Sequence, residues 1–314
     1  AMERLTIPAG TELAAGKLAF RTDSGLDVLP LEARCYMKQE VTDLDQPTRD
    51  YYSLLYASYG QPQPDGLALY RTVEVDFSAA FDFAAASDRT LWIALLGRTQ
   101  DNDGAGSDGW GTLRDRLAGR TLSFGLVPEL DDDGRVLPAV PEIPANAASP
   151  LGFSMPRGSL SATPSGAAAP APSYLELTQR YDFDPLRQPG VIELALPSAA
   201  DLAAWTGLDP LEAGVGELPP LIESAKEADR VVTWLRVRLG GSAALRLGWA
   251  GVNAAHVRQR VDVRAERLAD GDGTPDQLRQ LGRAPVLPGS VAITGASATQ
   301  TRQWIEIDDI LAAG

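Results

Sequence analysis

Leu122-Ser123-Phe124-Gly125-Leu126 alternates large apolar residues with a polar or small one, and this pattern sets the fold class. The side chains of a β-strand point to opposite faces in turn, so the pattern predicts a strand with one buried side and one solvent-facing side. Half-buried strands of this kind are typical of antiparallel sheets.

The same two-residue period recurs along the chain, at 73–77, 192–196, 245–249, 257–265 and 291–293. With 30 glycines and 23 prolines, the chain has enough turn residues to separate many short strands. Helical spacing is rarer, and it predicts short helices at 47–59, 198–205 and 221–229. We therefore expect a mainly β protein, with an antiparallel β-sandwich and few short helices.

The length of 314 residues suits two domains, on a prior of ~150 residues for each. Segments 1–66 and 250–314 are predicted to form a smaller mixed or β framework domain, into which a β-sandwich domain at 67–249 is inserted. The Ala/Ser/Pro/Gly-rich tract at 145–173 exceeds the usual loop limit of ~12 to 15 residues, and it predicts a long flexible loop. A linker is the alternative. Residues 100–111 are expected to be a second mobile loop.

The net charge of -14 argues against a nucleic-acid or anionic-membrane surface, since both need clustered Lys and Arg. The densest basic group is interpreted as a solvated or interface face of a strand, with phosphate binding as the alternative. Its members are Arg258, Arg260, Arg264 and Arg267. No apolar run approaches the ~18 to 20 residues that span a bilayer, so we expect no membrane insertion. Ala1-Met2 is expected to be a cloning remnant.

Residues suited to catalysis are few. The one histidine, His256, is interpreted as a packing or hydrogen-bonding residue, and the one cysteine, Cys35, as a small partly buried hydrophobe. A single cysteine excludes an internal disulfide and fits a reducing compartment. Glu306, Asp308 and Asp309 are the most plausible acid–base candidates, but acids at the end of a strand are usually solvated.

Two acidic loops partly resemble calcium sites. Loop 101–106 resembles the opening of an EF-hand, but Ala105 stands where an oxygen ligand belongs and Thr112 where the bidentate Glu is required. Segment 270–276 has Pro275 at the required glycine. Both loops are interpreted as turns. We therefore assign no catalytic, cofactor-binding or metal-binding residue, and we expect no cofactor.

The tryptophans divide into two groups. Trp110 lies inside the acidic loop and is expected to be exposed. The others lie in or beside apolar runs, where core or interface anchoring is expected; they are Trp92, Trp205, Trp234, Trp249 and Trp304.

Several segments occur in an order similar to that of a known family. The most informative is 272–294, where a Gly-Thr-Pro-Asp-Gln turn precedes Pro-Val-Leu-Pro-Gly-Ser and an alternating strand. The others lie at 7–11, 20–28, 88–96, 230–239, 253–257 and 304–311, while 34–70 matches least. Together they resemble the baseplate J-like family, the baseplate assembly proteins of contractile phage tails and extracellular contractile injection systems.

The resemblance implies a structural wedge component and not an enzyme. Such a subunit would contact copies of itself and other wedge proteins in a sixfold assembly, and through them the sheath and tail tube. It would be cytoplasmic during assembly and then part of the phage tail or released injection particle. Family members usually continue beyond 304–311 into a further β-region, which is absent here. A carbohydrate-binding or adhesin-type β-sandwich and a β-sandwich hydrolase are the alternatives.

Overall fold

The computed structural model describes residues 5–58, 60, 69–104, 109–129, 150–158, 172–205, 216–261, 263–275, 277–286, 289–296 and 300–304. The chain divides into two compact units, Ala1–Gln259 and Arg260–Gly314. Each unit is described by itself below.

The first unit contains sixteen of the described strands and three short α-helices. The strands are β1 (Leu5–Ile7), β2 (Glu12–Ala15), β3 (Leu18–Thr22), β4 (Leu26–Val28), β5 (Leu31–Val41), β6 (Leu69–Val75), β7 (Phe81–Asp82), β8 (Thr90–Gly97), β9 (Thr121–Pro128), β10 (Leu151–Pro156), β11 (Tyr174–Glu176), β12 (Gln179–Arg180), β13 (Gly190–Ala195), β14 (Val231–Leu239), β15 (Arg246–Val252) and β16 (Val257–Gln259). The helices are α1 (Gln46–Ser58), α2 (Gly111–Leu117) and α3 (Ala225–Ala228).

Two large antiparallel sheets form the body of this unit. One has six strands in the order β11-β10-β14-β8-β5-β6, and the other has five in the order β12-β13-β9-β15-β7. Their inner faces contribute to one apolar core, in which Phe124 of β9 meets Phe153 of β10 edge to face at 5.4 Å between ring centroids. The predicted mainly β class is confirmed.

The six-stranded sheet is covered on both faces. All eight residues of β8 are buried, with Ile93 directed into the inner core and Trp92 into a second apolar cluster on the outer face. Residues Trp234 and Ile222 belong to this outer cluster. The hydroxyl of Thr233 donates to the carbonyl of Ala203 at 2.8 Å, which ties the irregular segment 202–205 to β14.

Strand β5 corrects the predicted domain boundary. Residues 1–66 were expected to lie outside the sandwich, yet β5 pairs with β6 on one edge and with β8 on the other. Its Cys35 enters the inner core, and its Tyr36 enters the outer cluster. Both faces are therefore partly buried, and the simple alternation that marks a half-buried strand is weak here. The rest of the predicted division stays a prediction.

Segments from both ends of the first unit meet beside the sandwich. Strand β3 pairs with β16, and Thr22 lies opposite Val257. The side-chain amide of Asn253 accepts a hydrogen bond from the backbone N–H of Leu29 at 2.9 Å and donates one to its carbonyl at 2.9 Å. One side chain thus joins backbone positions that are 224 residues apart.

Strand β10 corrects the predicted loop at 145–173. Residues Leu151–Pro156 pair with β14 on one side and β11 on the other, and Phe153 and Met155 are buried in the core. Pro150 precedes the strand and Pro156 is its last residue, so composition alone predicts a loop here. Residues 145–149 and 159–171 of the predicted loop lie outside the described residues.

Trp110 is also placed differently from the prediction. It is 1% exposed, and its indole N–H donates to the carbonyl of Asp229 at 2.9 Å. Helix α2 follows directly and buries Leu113 and Leu117. The acidic residues before Trp110 suggested exposure, but the helix after it supplies the apolar partners. Residues 105–108 of the predicted mobile loop lie outside the described residues.

The predicted helices are short, as expected. The prediction at 47–59 is confirmed by α1, and no described residue of α1 is buried. The prediction at 198–205 corresponds to a single 3-10 turn at Ala199–Asp201. The prediction at 221–229 corresponds to the one turn of α3.

The second unit contains the hairpin of β17 (Ile293–Ala296) and β18 (Thr301–Trp304). In segment 270–276, the carboxylate of Asp272 accepts bonds from the backbone N–H and the hydroxyl of Thr274, at 2.9 and 2.6 Å. These bonds lower the pKa of Asp272. The chain therefore bends locally at Asp272–Thr274, and Asp276 lies outside the described residues.

Gly97 tests how tightly the end of the sandwich is packed. A methyl group at Gly97 would lie 2.7 Å from Cε3 and 2.8 Å from Cη2 of Trp110, whose ring is buried and hydrogen-bonded. We expect Gly97→Ala to lower the free energy of unfolding by about 1–3 kcal/mol, the usual cost of overpacking. Chemical denaturation measures this change.

Gly152→Ala is the matched control for that substitution. Gly152 lies in the same sheet, and an added methyl group would meet nothing closer than 3.9 Å. This variant should be at least as stable as the parent chain. Equal effects of the two substitutions would contradict the described packing of Trp110.

Candidate functional site

A small sheet of order β16-β3-β2 separates an apolar face from a charged face. Residues that lie opposite each other in antiparallel strands point to the same side, so Leu13, Phe20 and Gln259 share one face. Alternation along the strands brings further apolar residues to that side. We call this group the apolar sheet face; it consists of Leu13, Ala15, Leu18, Phe20 and Val257.

The apolar sheet face is poorly covered. Leu13 is 43% exposed and Leu18 is 51% exposed, whereas Leu122 in the sandwich core is 0% exposed. Phe20 and Val257 are half-buried, and Ala15 is exposed. Clustered apolar side chains that stay in water usually mark a surface that another molecule covers.

The opposite face of the same sheet carries ion pairs. Arg21 lies 3.1 Å from the carboxylate of Glu12, while the carboxylate of Asp23 lies 2.7 Å from Nε of Arg258 and 2.7 Å from Nδ1 of His256. Partial burial opposes the shift, yet the hydrogen bond to His256 and the charge of Arg258 hold the pKa of Asp23 below its usual value. The interpretation of His256 as a hydrogen-bonding residue is confirmed.

The Asp23–His256 pair has a simple structural role. It joins the end of β3 to the start of β16, where the backbone N–H of Asp23 also donates to the carbonyl of His256 at 3.0 Å. In the part of the chain that the structure describes, no nucleophilic hydroxyl or thiol is hydrogen-bonded to His256. The arrangement orients an imidazole but does not place it beside a nucleophile.

A second cluster of charges lies on the outer face of the six-stranded sheet. Lys38 is 3% exposed; its Nζ donates to the carbonyl of Gly216 at 2.8 Å and lies 3.3 Å from the carboxylate of Asp88. The indole N–H of Trp92 donates to the same carboxylate at 2.9 Å. Burial lowers the pKa of Lys38, and Asp88 acts in the opposite direction.

Arg236 is the other buried cation of this cluster. Its guanidinium lies 3.7 Å from the ring centroid of Tyr174, and its Nε donates to the hydroxyl of Ser154 at 3.0 Å. The carboxylates of Glu176 and Glu217 lie 3.9 and 3.7 Å away. Each cation is thus paired and hydrogen-bonded, as burial requires.

The geometry of this charged cluster indicates that it fastens chain segments together. The hydroxyl of Tyr174 also donates to the backbone carbonyl of Glu217, so residues 216–217 are held from three sides. The cluster was not predicted from the sequence. The available signal was a cation in the middle of an apolar strand, as with Arg236 between Leu235 and Val237.

The remaining candidate residues are placed as follows. Cys35 is buried, and burial raises the pKa of its thiol to about 12. Asp101 of the EF-hand-like loop lies 2.7 Å from Nε of Arg98. Within the described ranges, no group of three or more His, Cys, Asp or Glu residues could hold a metal ion. The acid–base candidates Glu306, Asp308 and Asp309 lie outside the described residues.

The predicted basic strand is shorter than expected. Strand β16 ends at Gln259, so Arg258 alone of the basic group lies on a described strand, and Arg267 pairs instead with Asp270 at 3.5 Å. Alternating residues predicted a strand through 265. Alternation depends only on side-chain direction, whereas a strand also needs a neighbouring strand, and β3 pairs only with 257–259.

Among the tryptophans expected to anchor a core or an interface, Trp92, Trp205 and Trp234 are buried, whereas Trp249 is 44% and Trp304 64% exposed. Trp249 lies over two glycines of the five-stranded sheet. Methyl groups at Gly125 and Gly251 would lie 2.8 and 2.7 Å from its ring atoms, so the missing side chains make room for the indole.

Comparison with models of known protein families gives no match, and neither does comparison with curated proteins. No helix in the described part of the chain has the length and apolar character needed to cross a membrane.

Leu18 tests whether the apolar sheet face contributes to folding. Because Leu18 is 51% exposed, we expect Leu18→Ser to change the free energy of unfolding by less than ~1 kcal/mol. Leu122→Ala, in the buried core, should lower it by about 2–5 kcal/mol. Denaturant titration of both variants measures the difference. A large loss for Leu18→Ser would mean that the face belongs to the core.

Proposed function

We propose that this protein is a structural baseplate component of a contractile tail or a phage-like contractile injection system, and that it acts through protein–protein interfaces. The observation that carries the proposal is the apolar sheet face, where Leu13 and Leu18 stay exposed on an otherwise paired sheet. The resemblance to the baseplate J-like family supports the same interpretation, because members of that family are structural subunits of an assembly.

The physical properties of the first unit suit a rigid scaffold. Its large sheets share one core, and charged pairs fasten the outer cover, so contact surfaces can be held at fixed positions. Stable interfaces bury roughly 1,600 Å² in total, with an apolar centre and a polar rim. The apolar sheet face, with Leu13 and Leu18 exposed, has the composition of such an apolar centre.

A second exposed apolar group extends the possible contact area. Helix α1 carries Tyr51 and Leu54 at 54% and 73% exposure, and the edge strand β6 carries Tyr70 at 49%. A subunit that contacts several neighbours needs more than one such surface. The proposed partners are other wedge proteins and copies of this chain in a sixfold assembly, with the sheath and tail tube as indirect partners. The chain would be cytoplasmic during assembly and then part of the released particle.

Particle assembly tests this proposal. In a producing strain that lacks the gene, the parent chain should restore contractile particles, whereas Leu13→Glu combined with Leu18→Glu should not, because the added charges oppose burial in an interface. Electron microscopy of purified particles measures the outcome. Restoration by the double variant, or complete firing particles without any copy of this chain, would contradict the proposal.

Val127→Glu is the matched control. Val127 is 40% exposed and lies on β9, outside the apolar sheet face. The control should restore particles. Circular dichroism of each purified variant verifies that the added charge has not unfolded the chain.

Trp249 favours carbohydrate binding as a second candidate function. Its ring lies over Gly125 and Gly251 and remains 44% exposed, which suits stacking against a sugar ring. Register places polar Ser123 and Glu193 opposite each other on the same outer face.

A glycan array tests this second function. If it is correct, the parent chain should bind a defined set of glycans, and Trp249→Ala should reduce that binding at least tenfold. The control Trp304→Ala removes another exposed indole, which lies in the second unit, and should leave binding unchanged. An array without specific binding would rule out this function for the glycans displayed.

A further inference from the structure

Strand β2 has one edge that no described strand occupies. It pairs with β3 through Leu13 opposite Phe20 and Ala14 opposite Ala19, and it ends the order β16-β3-β2. Such an edge presents unpaired backbone N–H and C=O groups to solvent. Natural edge strands are often protected by proline, lysine or a bulge, and Glu12–Ala15 contains none of these.

The direction of the free backbone groups follows from the pairing with β3. The backbone N–H of Thr22 donates to the carbonyl of Thr11 at 3.1 Å, so the groups of Thr11 face β3. Backbone groups alternate in direction along a strand. Those of Leu13 therefore also face β3, whereas those of Glu12 and Ala14 point away from the sheet.

We propose that β2 pairs antiparallel with β2 of a second copy of this chain, about a twofold axis at Leu13. In this register Glu12 lies opposite Ala14 of the second copy, and Ala14 lies opposite its Glu12. These are the residues whose backbone groups point outward, so two hydrogen-bonded pairs form across the axis. This inference rests on the proposed function, and it specifies how two copies of the chain contact each other.

Charge and side-chain size favour a second copy in this register. Glu12 faces the small Ala14 and not another Glu12, so no like charges lie directly opposite each other. Each Glu12 keeps its ion pair with Arg21 of its own chain. An axis at Ala14 instead would place Glu12 opposite Gly16, which lies beyond the strand and has a φ of 62°.

The pairing also extends the apolar sheet face. Leu13 of one copy meets Leu13 of the other on the same side of a joined six-stranded sheet, where non-hydrogen-bonded antiparallel residues approach most closely. Leu13 is thereby partly removed from water, while Leu18 stays open to other wedge proteins. The joined face is about twice as large as that of one copy.

A crosslink tests the register directly. Cα atoms of a non-hydrogen-bonded antiparallel pair lie about 4.5 Å apart, within the range that a disulfide spans. Leu13→Cys should therefore form a covalent dimer under mild oxidation of the full chain, visible on a non-reducing gel. The native thiol of Cys35 is buried and does not compete.

Leu18→Cys is the control for accessibility. Leu18 is as exposed as Leu13, and it lies on the same face but away from the proposed axis. It should crosslink at least tenfold more slowly. Equal rates for the two cysteines, or no dimer from Leu13→Cys, would overturn the proposal.

A backbone substitution provides the second test. Ala14→Pro removes one outward N–H and no bond to β3, so it should weaken self-association of the chain at least tenfold, whereas Ala14→Val keeps the N–H and should not. Sedimentation measures the mass relative to 33.4 kDa for one copy. A parent chain that stays monomeric, or a dimer insensitive to Ala14→Pro, would overturn the pairing. Both tests use the isolated chain, so their failure is distinct from failure of particle assembly, which tests the proposed function.

Discussion

Strand β8 lies inside the six-stranded sheet, and all eight of its residues are buried. Because its side chains alternate between two faces, the sheet must be covered on both of them. The five-stranded sheet supplies one cover, through contacts such as Phe124 with Phe153. The segment at 216–228, which ends in helix α3, supplies the other. The positions of the two covering layers follow from this double burial.

The two covers are fastened by different physical means. The inner one is an apolar layer in which two regular sheets interlock, so burial alone holds it. The outer one lacks regular strands, and its backbone groups need other partners. Lys38 donates to the backbone carbonyl of Gly216 and the hydroxyl of Tyr174 to that of Glu217, while Arg236 pairs with the side-chain carboxylate of Glu217. Since a buried cation is costly without its partners, these residues form a cluster that specifies where the cover lies.

The small sheet beside the sandwich, by contrast, has an apolar face that no described layer covers. Its strands are hydrogen-bonded to each other, and Arg21 forms an ion pair with Glu12. Leu13 and Leu18 nevertheless stay exposed. Large apolar residues alternate at 18–20 and at 122–126. The apolar face of 122–126 is in the core, whereas Leu18 is exposed to water. The apolar sheet face was therefore not predicted from the sequence, and neither was the register that leaves β2 at an edge.

From the sequence alone, the mainly β class, helix α1 and several strands were predictable, because side-chain direction and turn preference depend on nearby residues. The insertion of β5, the burial of Trp110 and the formation of the proline-ended strand β10 were decided only by tertiary structure. Burial depends on what lies opposite a side chain, and the opposing group is often distant in sequence. Asn253 and Leu29, 224 residues apart, show how such a contact is made only in the folded chain.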